Sequence, residues 1–172
     1  DWSSDVCSSD LQSGGSTVVD EGGSSDTFTV VLTSQPTGDV TVDIAGLDAS
    51  EASLSATQLT FTPLNWNVPQ TVTVTGVDDA LVDGDITFNL TLDPSGADYG
   101  AVASATVPVT TTDNDTAGIT VNPTAGLVTT EAGGAATFTV VLTSQPTADV
   151  TIGLSSNDTT EGTVGPASLT FT

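Results

Sequence analysis

The chain has 172 residues, with 22 Asp+Glu, no Lys, no Arg and no His, for a formal charge of -22. With no cationic side chain to meet phosphates, this composition excludes nucleic-acid binding and attachment to an anionic membrane surface, and it points to cations as partners. The lack of His and Lys also removes the usual general bases and amine nucleophiles, so the sequence reads as a non-enzyme.

Taken in chain order, Asp1 to Leu11 reads DWSSDVCSSDL and resembles the translation of a common sequencing-adapter tail. The expectation is a non-native segment, excluded from fold reasoning. Trp2 and the single Cys7 belong to it, so the remaining chain has no cysteine and no disulfide. Whatever staples it is core or metal.

From Ser13 onward the hydrophobic period is two. A short strand is expected near Val18, followed by Phe28-Val30-Leu32, Val40-Val42-Ile44, Leu59-Phe61, Val72-Val74, Ile86-Phe88-Leu90-Leu92 and Val107-Val109. In each, apolar residues alternate with outward polar ones, chiefly Thr, which is β-branched yet polar and suits a half-buried strand. Turn clusters such as Ser34 to Gly38 and Pro94-Ser95-Gly96 separate them. Seven short strands in about 100 residues is the pattern of an all-β, immunoglobulin-like antiparallel sandwich. Pro108 cannot donate to a ladder, which puts the last strand at an edge or a bulge. No apolar run reaches the roughly 18 residues that a membrane-spanning helix needs.

The pattern then repeats. TFTVVLTSQPTGDVTV at Thr27–Val42 recurs as TFTVVLTSQPTADVTI at Thr137–Ile152, and LTFT at Leu59–Thr62 recurs at Leu169–Thr172, both at an offset of 110 positions. A period this long is a whole small domain in tandem rather than a solenoid unit. The expected organisation is residues 1–11 non-native, 12–117 a complete sandwich, and 118–172 the first half of a second, so that the sequence reads as a fragment. Half a sandwich leaves one face uncovered, so Phe138, Val140, Leu142 and Ile152 are expected to be incompletely buried.

Acidic residues gather in four turns of the first unit: Asp20-Glu21-Gly22-Gly23, Asp48 to Glu51, Asp78-Asp79 with Asp83 and Asp85, and Asp113-Asn114-Asp115. Loops of a sandwich collect at its two ends, so alternate turns can bring these carboxylates together. Two carboxylates about 4 Å apart repel by roughly 4 kcal/mol at an effective dielectric near 20, and no side-chain cation exists here to offset that. Ca²⁺ takes six to eight oxygen ligands, and this sequence offers oxygen and nothing softer. The plain alternative is that Asp, Asn and Gly populate turns for backbone reasons, which is the reading for isolated Asp39, Asp93 and Asp98.

With these residues in place, residues from about Thr17 to Gly118 resemble a Calx-beta domain, the calcium-binding sandwich of sodium/calcium exchangers that also recurs in large extracellular adhesion proteins, many of them bacterial. The resemblance rests on Glu21-Gly22-Gly23 before the strand Thr27 to Thr33, on Val77-Asp78-Asp79 followed by Asp83-Gly84-Asp85, and on Asp113-Asn114-Asp115-Thr116-Ala117-Gly118 closing the domain. It implies calcium ligands at Glu21, Glu51, Asp78, Asp79, Asp83, Asp113 and Asp115, with the Leu81 carbonyl as an extra. Two positions depart from the family: Ile86 stands where an acidic residue is expected, and Asn114 replaces the middle carboxylate of the final triplet. Fewer or weaker sites follow, with Asp85 as a candidate to compensate for Ile86.

The implied function is a calcium-binding structural or adhesion repeat of a large extracellular protein, Ca²⁺ rigidifying the domain end and the inter-domain junction. Its partners would be calcium ions, neighbouring repeats and a cell-surface or glycan target. The alternatives are a metal-free acidic stalk repeat and a carbohydrate-binding module using Trp66. Trp66 and Tyr99 read more simply as caps on the end of the core.

Overall fold

The computed structural model describes residues 17–172, so the adapter-like segment lies outside the described residues. The chain divides into two compact units, residues 17–79 with 83–114, and residues 80–82 with 115–172.

The first unit holds eight strands: β1 (Thr17–Asp20), β2 (Ser25–Val30), β3 (Val40–Ala45), β4 (Ala52–Leu54), β5 (Gln58–Phe61), β6 (Gln70–Gly76), β7 (Ile86–Ser95) and β8 (Ala105–Thr112). Seven coincide with the alternating segments of the sequence, and β4 is additional. They form a five-stranded sheet, β1-β8-β7-β3-β5, and a three-stranded sheet, β2-β6-β4. All pairings are antiparallel except β1 with β8, which is parallel. The two sheets share one core in which Phe28, Val30, Val40, Phe61, Val72, Val74, Leu90 and Val109 are fully buried. This is the all-β, immunoglobulin-like sandwich.

Period-two alternation decides which face each strand buries. In β3, Val40, Val42 and Ile44 are buried while Asp43 and Ala45 are exposed. The outward Thr residues meet across strands, as Thr87 and Thr110 do at 3.1 Å between hydroxyls. Pro108 is exposed and sits opposite Asn89 of β7. β8 is interior to its sheet, between β1 and β7, and not the edge strand that Pro108 suggested; among the described residues the β1 pairing covers Val109 to Thr112 and leaves Pro108, which has no amide to donate, out of the ladder on that side. Tyr99 is buried, its hydroxyl donating to the Ser34 carbonyl at 2.7 Å, and Trp66 packs half-buried against the core.

The second unit contributes β9 (Ile119–Asn122), β10 (Thr139–Leu142), β11 (Val150–Gly153) and β12 (Ser168–Phe171), paired β10-β9 and β11-β12. Its β11-β12 register, Val150 opposite Phe171, repeats that of β3-β5, Val40 opposite Phe61, at the offset of 110. No residue of 118–172 is buried; Phe138, Val140, Leu142 and Ile152 are half-buried.

Candidate metal centre

Strand pairing assembles the acidic loops where β1, β6 and β8 end. β1 runs parallel to β8 with Asp20 opposite Thr112, and the Glu21 amide donates to the Thr112 carbonyl at 3.2 Å. Glu21 is thereby held beside the Asp113-Asn114-Asp115 turn. It is 2% exposed, and its Oε2 accepts from the Asn114 amide at 3.4 Å.

The second loop arrives through a glycine. β6 ends at Gly76, whose amide donates to the Ser24 carbonyl at 3.0 Å. A Cβ at Gly76 would lie 2.8 Å from the Asp20 carbonyl carbon and overlap its oxygen. Only glycine lets the end of β6 approach β1 so closely, which delivers Val77-Asp78-Asp79 to Glu21.

β4 brings in the third. Ala52 pairs with Gly76, and the Val77 amide donates to the Glu51 carbonyl at 2.9 Å. Glu51 is consequently 5% exposed, and its Oε2 has no hydrogen-bond partner among the described residues. A buried carboxylate oxygen without a donor is costly unless it is protonated or meets a cation. The fourth loop is fixed by main-chain donors: the Gly84 amide donates to Asp113 Oδ2 at 2.8 Å, and the Asp113 amide to Asp85 Oδ1 at 3.2 Å. Gly84 takes φ +79°, a left-handed turn between the two aspartates.

The result is a close carboxylate group. Glu21, Asp79 and Asp115 each offer an oxygen, all within 4.8 Å of one another. Burial raises the pKa of Glu21; the Asn114 amide opposes this, while the charges of Asp113, Asp79 and Asp83 add to it. Burial likewise raises Glu51, with Asp83, Asp48 and Asp79 adding to the rise and the Ser50 hydroxyl partly offsetting it. In both cases the charged form is disfavoured for want of water and a counter-charge.

The seven residues singled out in the sequence take different places. Glu21, Asp79 and Asp115 converge. Glu51 stands outside that trio yet feels Asp79 and Asp83. Asp83 is exposed, its charge reaching both glutamates. Asp113 engages the Gly84 amide, and Asp78 is exposed outside the trio. Asn114 contributes its main-chain amide to Glu21, while Ile86 opens β7 half-buried opposite Thr111. Asp85 is engaged by the Asp113 amide. Side-chain pattern could not reveal the Asn114 and Gly84 amides, because their role depends on which loops meet.

The donor set suits a hard cation. It comprises carboxylate oxygens, in loops where no Lys, Arg or His supplies positive charge. Among the described residues no Cys, His or Met is present to select a transition metal.

No family model matches the chain, and no curated protein does. Among solved structures the fold is similar to the apo form of the Calx CBD1 domain, at 22% identity and a TM-score of 0.43 over 59% of this chain and 92% of that one. It is also similar to SSP-19, an MSP-domain-like protein of Caenorhabditis elegans, at 15% identity and 0.42 over 57% and 94%. The CsuC-CsuE chaperone-tip adhesion subunit complex of Acinetobacter baumannii pili matches at 11% and 0.43 over 57% and 53%. The likeness is one of fold alone.

Proposed function

We propose that the chain is a calcium-binding structural module of the Calx-beta type, its acidic loop end drawn together by Ca²⁺. One observation carries this reading: Glu21, Asp79 and Asp115 converge to within 4.8 Å in a chain with no cationic side chain. Three carboxylates at that spacing repel one another, and a divalent cation converts the repulsion into coordination. Glu21, Asp79 and Asp115 would hold the ion, with Glu51 supplying the buried carboxyl nearby.

The ion supplies rigidity rather than chemistry. By tying the turn after β1, the loop after β6 and the turn after β8, it would stiffen the end of the sandwich. Affinities of 10⁻⁴ to 10⁻³ M, as in extracellular modules, match an environment of millimolar calcium, so the reading places the protein outside the cell, as a repeat of a surface or secreted adhesion protein.

Isothermal titration of CaCl₂ into the full chain tests this. Saturable uptake that is lost on Asp79→Asn is expected; heats equal to dilution would leave the plain acidic stalk as the better account.

A further inference from the structure

One dipeptide between β6 and β7 has a chemistry of its own. No Asn and no other Asp of the chain precedes a glycine, so only in Asp83-Gly84 does a side-chain carboxyl stand next to an amide nitrogen that no following Cβ shields. Elsewhere larger residues follow, as in Asp26-Thr27, Asp39-Val40 and Asp43-Ile44, whose β-branched side chains crowd that nitrogen. β6 ends at Gly76 and β7 begins at Ile86, so positions 83 and 84 lie outside the strand ladders. Both are exposed, and a Cβ added at Gly84 would meet nothing within 4 Å.

What holds the dipeptide is a clasp to the turn after β8. The Gly84 amide donates to Asp113 Oδ2 at 2.8 Å, and the Asp113 amide donates to Asp85 Oδ1 at 3.2 Å. For the Gly84 nitrogen to reach the Asp83 carboxyl, the planar peptide between them must turn over that carboxyl. With its N–H fixed on Asp113 the plane cannot turn freely, and the reaction waits on local opening of the clasp.

We propose that Asp83-Gly84 is the chain's site of spontaneous isomerisation and that the Asp113 clasp sets its rate. The Gly84 nitrogen bonds to Cγ of the Asp83 carboxylic acid, and the N–H proton leaves with the carboxyl hydroxyl as water, closing a five-membered imide. One water then adds back. Opening at Cγ restores the aspartate; opening at the former main-chain carbonyl leaves the chain running through Cβ and Cγ, with that carbonyl now a free carboxylate. Mass and charge are unchanged, but the main chain gains one bond, about 1.5 Å, between positions 83 and 84. The contacts of Gly84 and Asp85 with Asp113 are set at the original length, so the lengthened loop breaks at least one of them. The step uses only Asp83, Gly84 and water, and it stands apart from the calcium reading.

Ageing the folded full chain in chelator, at physiological temperature and neutral pH, tests this. β-Linked aspartate is counted by enzymatic methyl-esterification with an isoaspartate methyltransferase, and placed by electron-transfer fragmentation of the peptide 52–131 that cleavage after Glu releases. Conversion should concentrate at position 83 and vanish in Asp83→Glu, whose extra methylene makes the five-membered ring impossible. Asp113→Ala should speed it by about tenfold, the effect of losing one hydrogen bond to a charged group, whereas Asp113→Asn, which keeps an acceptor oxygen, should run near the parent rate. The urea-unfolded chain, which has no clasp, should convert faster than the folded one by at least the same factor, a reading that does not depend on Asp113→Ala folding. Conversion spread evenly over the aspartates, or none at position 83 while the unfolded chain converts, would overturn the proposal. So would equal rates in the folded and unfolded chain, or in the parent and a folded Asp113→Ala.

Discussion

Gly76 and Asp20 meet backbone to backbone: a Cβ at Gly76 would overlap the Asp20 carbonyl oxygen and come within 2.8 Å of its carbon. The contact joins the end of β6 to the end of β1, and through it Asp79 reaches Glu21. Gly76→Ala should therefore destabilise the first unit by about 1–3 kcal/mol, the usual range for overpacking a close contact, and weaken its response to calcium. An unchanged melting temperature with intact calcium binding would separate this contact from the assembly of the site.

Neutralising one carboxylate should have opposite effects with and without metal. Asp79→Asn should stabilise the protein in chelator by on the order of 1 kcal/mol, because Asp79 is partly solvated, and destabilise it in calcium, so that the melting temperature moves up in one case and down in the other. Exposed Asp39, outside the group, serves as the control, and Asp39→Asn should do neither. Equal shifts at both positions would mean diffuse screening.

Acid should stabilise the metal-free protein. Burial raises the folded-state pKa of Glu21 and Glu51 above the ordinary value of 4.5. Between the unfolded and the raised folded values, the folded state binds more protons, so these groups contribute stability that is complete below 4.5 and lost as pH rises through the folded pKa. Denaturant midpoints in chelator should accordingly rise as pH falls from 7 toward 5. With calcium bound the trend should flatten or invert, since protons then compete with the ion; a midpoint independent of pH in chelator would contradict the burial of both glutamates.

The second unit should open first. Its apolar residues Phe138, Val140, Leu142 and Ile152 are half-buried, whereas the first unit buries Phe28, Val30, Leu32 and Val42 almost completely. Each square ångström left in water forgoes roughly 25 cal/mol of stabilisation. Amides of β10 and β11 should exchange much faster than those of β3 and β6, and limited proteolysis should cut within 118–172 before the first sandwich. Equal protection in both units of a monomeric sample would refute this.

Most of the sandwich was legible because alternation is a local signal. Val40-Val42-Ile44 and Ile86 to Leu92 announce both strand and buried face by themselves. β4 was not, since Ala52-Ser53-Leu54 has three residues and a single buried one, too short for a period to register. That omission mattered for the site, because β4 is what lays Glu51 across from Val77. The acidic loops were visible as side chains and their meeting was inferable from sandwich topology, but the Asn114 and Gly84 amides and the Gly76 approach are products of tertiary contact and left no mark on residue type.

The most direct measurement is the thermal unfolding of the full chain in chelator and in millimolar CaCl₂ at constant ionic strength. A site with a dissociation constant of about 10⁻⁴ M adds roughly 1.4 kcal/mol at millimolar calcium, and the first unit's transition should move up accordingly. NaCl of matched ionic strength should not reproduce the shift. Superimposable melting curves in calcium and chelator would contradict a calcium site built from Glu21, Asp79 and Asp115.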